Sequence, residues 1–224
     1  MFKNSLQINS NKNYENKKNL AFCGIVNIAG LRKIGTKVGE FGTVVGHEYV
    51  SLHKKGQPPE KIPVEIVHSI SDKYNTLLPS LEVYKKDDYV CSLAYLQYSK
   101  KFSHIYVEWL QNFAQNSNVK INGFTKILGR SIEQIALLKT GGRLRCLASG
   151  KWKSPVAVYS RMGLEPDIPE KYFLMPVRKG IMKLFGLFEK KELNSVSMHV
   201  PRKTIKKARE ELTKNPMIDT KYVF

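Results

Sequence analysis

The chain has 224 residues, 42% of them hydrophobic, which is enough for one sizeable core or for a core with an appendage. Lys and Arg total 37 against 19 acidic residues, so the net charge is +18. This excess favours a polyanionic partner such as nucleic acid or an acidic protein, although a solvated basic surface gives the same count. The three cysteines, Cys23, Cys91 and Cys146, form no C-x-x-C pair, and the five histidines form no H-E-x-x-H motif. The sequence therefore predicts no metal site, and it predicts reduced thiols in a cytoplasmic protein.

The N-terminal third contains few clear elements. Residues 1–19, rich in Asn and Lys, predict a flexible basic tail. Residues 20–31 are an apolar run too short to span a bilayer, and they predict a buried strand or short helix. Residues 48–52 alternate as a strand does. In residues 60–78 the apolar side chains are near helical spacing, which favours a helix.

The pattern becomes clearer from residue 81. Residues 81–84 and 89–98, joined by the polar turn 85–88, predict a β-hairpin. A further strand follows at 104–113. Its alternation predicts two faces, with Ile105, Val107 and Trp109 on one and Tyr106, Glu108 and Leu110 on the other.

A helix is predicted next, beginning near Phe124 and ending at Gly141-Gly142. Its apolar stripe consists of Ile127, Leu128, Ile132, Ile135 and Leu138. A strand at 143–149, which would bury Cys146, a short helix at 154–162 and a strand near 171–177 complete the predicted core. Residues 178–224 predict a basic helical extension, with a charged helix from Lys203 to Lys214.

The turn before the long helix is a candidate anion site. A helix N-terminus has unpaired N–H groups and a partial positive charge, which suit a pyrophosphate if the backbone can approach closely. Gly123 has no Cβ to obstruct that approach, Thr125 is small, and Lys120 adds positive charge. An ordinary loop with a helix cap would give the same short pattern. The candidate ligand-binding residues are Asn118, Val119, Lys120, Ile121, Asn122, Gly123, Phe124, Thr125 and Lys126.

A second segment, 158–166, places Tyr159 four residues before Gly163 at the end of the short helix. Together, K-x-x-G-x-T before a helix, the intervening strand 143–149 and this tyrosine resemble the GNAT family of N-acetyltransferases. The resemblance covers residues 80–177 best. It implies an α/β (α+β) fold, a GNAT-like mixed and mostly antiparallel central sheet flanked by helices. The corresponding domain is 20–177, followed by the basic C-terminal extension 178–224.

The resemblance also implies roles for particular residues. Acetyl-CoA, as co-substrate, would lie in a V-shaped opening beside the strand 104–113, with a backbone amide from about 113–118 on the thioester carbonyl. Tyr159 would protonate the departing thiolate, and Glu108 would act as general base with a pKa raised by its cleft. A packed aromatic and a solvent-facing carboxylate are the structural alternatives. The chain has Lys120 where the family usually has Arg or Gln, Thr125 where Gly or Ala is commoner, and Gly163-Leu164 where Gly-Phe is usual. The resemblance is therefore to a divergent member of the family, and a degenerate member without catalysis is the alternative.

The expected activity is therefore transfer of an acetyl group to an amine on a large, anionic acceptor, either a protein or an RNA-linked amine such as an aminoacyl-tRNA. The alternative is a non-catalytic basic protein that binds nucleic acid or has a structural role, with Tyr95, Tyr98 and Tyr106 as stacking surfaces. Membrane-surface binding through 178–191 is less favoured than docking of that segment on the core. The sequence leaves the oligomeric state and the identity of the acceptor open.

Overall fold

The computed structural model describes the chain between residues 25 and 223, with gaps. The described ranges are 25–54, 56–73, 76–86, 88–98, 103–112, 119–149, 154–167 and 195–223. They form one sheet of ten strands with helices packed against it, and all but one of the strand pairs are antiparallel. The predicted mixed α/β class, with a mostly antiparallel central sheet flanked by helices, is confirmed. The predicted tail 1–19 lies outside the described residues.

The first part of the sheet is a meander of long strands. Its members are β1 (Lys37–Val38), β2 (Gly42–Lys54), β3 (Glu60–Lys73), β4 (Thr76–Lys85), β5 (Asp88–Tyr98) and β6 (His104–Asn112). The predicted hairpin is β4 and β5, which pair up to Lys85 and Asp88 at the turn. The strand predicted at 104–113 is β6, and the strand predicted at 48–52 is part of β2.

The helix favoured over residues 60–78 is wrong, because this segment forms β3 and the start of β4. Its apolar residues are mostly β-branched, which favours strands. Ile66 and Val67 are adjacent and both are fully buried. A strand buried on both faces has a continuous apolar run instead of a period of two, and such a run imitates helical spacing.

The second part of the chain adds strands on both sides of the meander. After β7 (Val119–Asn122) come α1 (Phe124–Thr140), β8 (Leu144–Ser149), α2 (Ser154–Arg161), β9 (Glu165–Pro166), β10 (Ser195–His199) and α3 (Arg202–Lys214). The strand order is β1-β2-β3-β4-β5-β6-β8-β10-β9, and β7 pairs with β2. Only β6 and β8 pair in parallel within this described sheet, because α1 returns the chain to the end where β6 began.

Helix α1 confirms the predicted helix at both ends. Gly123 precedes it with φ 116°, and Gly141 follows it with φ 66°, conformations that glycine adopts without strain. Four of the five predicted stripe residues are at most 2% exposed, whereas Leu138 is 58% exposed and lies outside the stripe. Helix α1 is also close to α2, because Gly129 lies where a Cβ would come within 3.0 Å of Met162.

The C-terminal segment 195–223 shares the core of the sheet. Strand β10 pairs with β8 over five residues, and Leu212 of α3, the predicted charged helix, is buried. The buried side-chain amide of Gln134 accepts hydrogen bonds from the backbone of Met217 and Ile218 and donates to Ile218 O at 2.8 Å. The predicted strand near 171–177 and the domain boundary between 177 and 178 lie outside the described residues.

The buried element expected over 20–31 is wrong for its described part. Residues 25–31 form an irregular loop in which Ile25 and Val26 are exposed. The loop is attached to the sheet by polar contacts, because the buried His47 Nδ1 accepts the N–H of Ile28 at 2.9 Å. Among the described residues, no helix has the length and apolar character needed to cross a membrane.

Candidate active site

Strands β6 and β8 pair over a short distance and then separate. Ile105 pairs with Leu144, Tyr106 with Arg145 and Val107 with Cys146. Both strands continue beyond these pairs, β6 to Asn112 and β8 to Ser149, without further pairing to each other. The two strands therefore bound a wedge-shaped opening in the sheet, which we call the fork.

A β-bulge in β6 accounts for the fork. Across β5 and β6, Tyr95 pairs with Val107 and the preceding residue, Ala94, pairs with Trp109. Glu108 is therefore one extra residue on β6. A bulge bends its strand, increases the local twist and can terminate pairing on the other side. The bulge directly follows Val107, the last residue of β6 that pairs with β8.

The bulge also corrects the predicted faces of β6. Ile105 and Val107 belong to the core, as predicted, but Leu110 packs against the same core and not on the opposite face. The extra residue shifts the alternation by one position, so residues after Glu108 exchange faces. The pattern of apolar residues alone could not indicate this, because a bulge leaves no mark in a single strand.

At the fork, one backbone edge of β6 has no partner strand among the described residues. Because β5 pairs with one edge of β6 as far as Asn112, the edge that faced β8 is left unpaired by β8 beyond Val107. Backbone groups of 108–112 on this edge can accept or donate hydrogen bonds to a molecule in the fork. The backbone donors predicted at 113–118 lie outside the described residues.

Tyr159 on α2 lies at the fork. Its side chain is 7% exposed and belongs to the core. Burial raises the pKa of the Tyr159 phenol, and the nearby Cys146, Tyr106 and Glu108 raise the pKa further. These three neighbours are the residues immediately around the separation of β6 from β8. The phenol therefore stays protonated at neutral pH and can donate a hydrogen bond or a proton there.

Glu108 is exposed, in contrast to the cleft from which a raised pKa was expected. Its charge still acts on both neighbouring phenols, since it contributes to the raised pKa of Tyr106 and of Tyr159. Tyr159 and Glu108, the two predicted catalytic residues, are thus close enough for the charge of Glu108 to raise the pKa of Tyr159.

The predicted phosphate-binding turn is partly strand and partly helix. Asn118 lies outside the described residues. Residues 119–122 form β7, in which Lys120 pairs with His53 and Asn122 with Ser51, so alternate backbone groups are occupied by β2. Phe124 is buried, Thr125 half-buried and Lys126 exposed. Among the described residues, no side chain caps the start of α1, and the first turn of this helix has no acidic residue. An anion site at a helix start requires both features.

The start of α1 and the fork lie at different strands of the sheet. Gly123 is beside Val50 of β2, since a Cβ on Gly123 would be 3.7 Å from Val50 Cγ1. From β2 to β6 there are four strand spacings, roughly 19 Å along the sheet and less across a twisted one. The pantetheine arm of coenzyme A equals about four extended residues, or roughly 15 Å. A coenzyme A molecule with its phosphates at the start of α1 and its thiol at the fork would therefore have to follow the straight line between the two sites. In a twisted sheet this line is shorter than the path along the sheet.

Sequence reasoning missed a polar cluster beside the fork. His199 Nδ1 lies 2.5 Å from Asp167 Oδ1, and Arg145 contacts the other carboxylate oxygen at 3.4 Å. The sequence carries no signal for this cluster, because β9 and β10 bring together residues 32 positions apart. No group of three His, Cys, Asp or Glu side chains suited to a metal ion occurs in the described part of the chain. Cys146 is buried, as predicted, and Cys91 is buried too, and burial raises the pKa of both thiols.

Comparison with known proteins gives little further information. No family model matches the chain, and no curated protein matches it. Among solved structures, the crystal structure of nourseothricin acetyltransferase is 13% identical over 70% of this chain and 88% of that chain, with a TM-score of 0.34. A TM-score this low decides neither fold nor activity, so the function proposed below depends on the geometry of the fork.

Proposed function

We propose that the chain is an acyltransferase that transfers an acetyl group from acetyl-CoA to an amine on a large, anionic acceptor. The observation that supports this proposal is the fork itself. A bulge at Glu108 ends the pairing of β6 with β8, so residues 108–112 pair with no described strand on that side, and Tyr159 lies near this point with a neutral phenol.

The residues at the fork suit the demands of acyl transfer. Coenzyme A would supply the activated thioester. Backbone N–H groups of β6 that face away from β5 beyond Val107 can stabilise negative charge that develops on the thioester carbonyl oxygen. Tyr159 can give its proton to the departing sulfur, and burial keeps that proton in place through the neutral range. The start of α1, uncapped and followed by the exposed Lys126, can hold phosphates.

Binding of the co-substrate is the direct test. Thermal unfolding should be followed with acetyl-CoA, with coenzyme A and with adenosine 3′,5′-bisphosphate. A ligand present at a hundred times its dissociation constant should add about 2.7 kcal/mol to the free energy of unfolding. Stabilisation by the first two ligands and less by the third would locate binding energy in the pantetheine arm. No stabilisation by acetyl-CoA at millimolar concentration would contradict the proposal.

The net charge of +18 supports the choice of acceptor. A positive surface attracts an anionic scaffold through screened, long-range electrostatics, and the amine to be acetylated would be carried on that scaffold. The acceptor class of protein or RNA is thus proposed from charge alone.

A non-catalytic nucleic-acid-binding protein is the second candidate. Of the three tyrosines expected as stacking surfaces, Tyr95 is buried and its hydroxyl lies 2.9 Å from His68 Nε2, so it is unsuited. Tyr98 is 47% exposed and packs edge-on against Tyr106 at 6.1 Å between ring centroids. This candidate applies if the protein binds single-stranded RNA but no acetyl-CoA. If replacing Tyr98 then left the affinity for RNA unchanged, the net charge would be the only remaining support for a nucleic-acid-binding function.

A further inference from the structure

A row of polar residues crosses the outer face of the sheet next to the fork. Tyr106 of β6 pairs with Arg145 of β8, Arg145 with His199 of β10, and His199 with Glu165 of β9. Directly paired residues share a face of the sheet. The neighbouring row, Val107, Cys146 and Met198, is buried in the core, so the row that contains His199 faces away from α1.

His199 in this row is held by a carboxylate. The imidazole Nδ1 lies 2.5 Å from Asp167 Oδ1, and the backbone N–H of Asp167 donates to Ser197 O at 2.9 Å. Partial burial alone would raise the pKa of Asp167, but hydrogen bonds from Ser197 and His199 and the charge of Arg145 bring the pKa below its usual value. A charged Asp167 accepts the Nδ1–H of the ring, so the Nε2 atom is left as the acceptor.

We propose that His199 takes the proton from the acceptor amine, and that Asp167 holds its ring in the required tautomer. This inference rests on the proposed acyl transfer and specifies the side from which the amine arrives. Tyr159 reaches the fork from the face of the sheet that carries α1 and α2, and the outer face is left for the acceptor. The acceptor class is a primary amine, which is protonated in water at neutral pH.

The surroundings of His199 support a base at this position. Arg145 flanks it on β8, Glu165 flanks it on β9, and Glu165 is itself paired with Lys203 of α3 at 3.0 Å. The imidazole side chain is 42% exposed, so a substrate can approach it. The row that contains His199 comes one residue, about 3.4 Å, before the row of Val107 and Cys146, the last residues at which β6 and β8 pair. Strand β10, which carries His199, is two strand spacings, about 10 Å, from β6.

The proton balance of the step is complete. Because β10 is two strand spacings from β6, His199 Nε2 takes one proton from the ammonium group through bridging water and releases it to solvent after the reaction. The free amine forms a C–N bond to the thioester carbon, and the C–S bond breaks as the tetrahedral adduct collapses. Tyr159 protonates the sulfur, and the second amine proton, lost during the collapse, restores the phenol through water.

A purely structural clamp is the competing explanation, because Asp167 also ties the chain after β9 to β8 and β10. Three variants separate the two roles: His199→Gln, Asp167→Asn and Glu108→Gln. His104→Gln is the matched control, since His104 stacks on Tyr98 at the far end of β6 and has no place in the proposed machinery. All four proteins should first be shown to keep the unfolding temperature within a few degrees of the wild type.

The decisive measurement is the pH dependence of kcat/KM with an acidic peptide that carries a single lysine as the amine probe. His199→Gln should lower kcat by about 10²-fold or more, should leave the KM for acetyl-CoA unchanged and should lose the acid limb of the profile. Glu108→Gln and His104→Gln should keep that limb. Added imidazole should restore part of the activity of His199→Ala. Retention of the acid limb in His199→Gln, or its loss in Glu108→Gln alone, would overturn the proposal.

A second readout needs no activity. Nitrogen-15 chemical shifts of the ligand-free protein should show the proton of neutral His199 on Nδ1, and Asp167→Asn should reduce that preference. If Nε2 carries the proton in the wild type, the proposal fails regardless of turnover. A wild type that has the expected tautomer but binds no acetyl-CoA and acetylates no amine would instead refute the proposed function and, with it, the catalytic part of this inference.

Discussion

Val107 is the last residue of β6 to pair with β8, and Glu108, the next residue, is the extra residue of a bulge against β5. Both observations follow from the bulge. The extra residue is accommodated in the pairing of β6 with β5, and the bend that it introduces moves the other edge of β6 away from β8. The opening that results is where Tyr159 lies, and its neighbours there raise the pKa of the phenol.

Replacing Tyr159 by phenylalanine tests the proton donor. The ring stays in its buried position, so the fold and acetyl-CoA binding should be preserved, while turnover should fall by about 10²–10⁴-fold. Turnover with a saturating amine and the unfolding temperature of the variant should be measured together. Tyr84→Phe is the control, because its phenol donates a hydrogen bond to Glu82 at 2.9 Å on β4, a strand that does not border the fork. Wild-type turnover in a folded Tyr159→Phe protein would leave this tyrosine as a packing residue.

A pair of substitutions at Gly123 tests whether phosphates lie at the start of α1. Both Gly123→Ala and Gly123→Glu place a side chain at φ 116°, which costs about 1–3 kcal/mol, and a Cβ meets nothing nearer than 3.7 Å. The strain is therefore shared, and only glutamate adds a negative charge and bulk at the helix start. Calorimetry should show acetyl-CoA binding lost in Gly123→Glu and largely kept in Gly123→Ala. Equal affinity in the two variants would mean that the phosphates lie elsewhere.

The sequence predicted those parts of the molecule that local chemistry determines. Helix α1, its glycine ends, the β4–β5 hairpin and the strand β6 all follow from turn residues and periodicity. The segment 60–78 was predicted as a helix but forms strands, because burial on both faces removes the period of two by which a strand is recognised. The face of β6 on which Leu110 lies was predicted wrongly because the bulge at Glu108 arises from the pairing of β6 with β5. The sequence of β6 alone does not encode this pairing.

The candidate site divides in the same way. Tyr159 and Glu108 were implied by the resemblance to the GNAT family, and the structure places both near the last β6–β8 pair. Asp167 and His199 could not be predicted, because their contact depends on β9 lying beside β10, and on β10 lying between β8 and β9. Long-range pairing of this kind is set by the whole sheet, so no local pattern of residues marks it.

The salt dependence of acceptor binding tests the role of the net charge of +18. If Lys and Arg side chains contact phosphates of an RNA-linked acceptor, counterions are released on binding, and log K falls linearly with log salt. The slope is about −0.7 per phosphate contacted on a single strand. Titrations of the protein into a labelled single-stranded RNA between 50 and 200 mM salt should therefore show a steep loss of affinity. A flat response would contradict an anionic acceptor of this class.

Alkaline pH should weaken the fold through Cys146. Burial raises the pKa of its thiol from an ordinary value of 9.0 to about 12, and the charge of Asp167 adds to the effect. The unfolded chain therefore ionises this thiol at a lower pH than the folded protein does, so the folded state binds the additional proton between these values. The stabilisation is fully present below pH 9 and is lost as pH rises toward 12, by up to about 1.4 kcal/mol per pH unit.

Urea unfolding at several pH values between 8 and 11 measures this contribution as the difference between the wild type and Cys146→Ala. Removing the thiol leaves a small cavity at every pH, which lowers the free energy of unfolding by a constant amount. The difference should therefore shrink as pH rises above 9, because only the wild type loses the contribution of the buried neutral thiol. Leu147→Ala, at the next position of β8 with a side chain that does not titrate and is 44% exposed, should give a difference that is independent of pH. If the difference in unfolding free energy between the wild type and Cys146→Ala were also independent of pH, this thiol would have the same pKa in the folded and unfolded states. That result would contradict its burial beside β6 and β10.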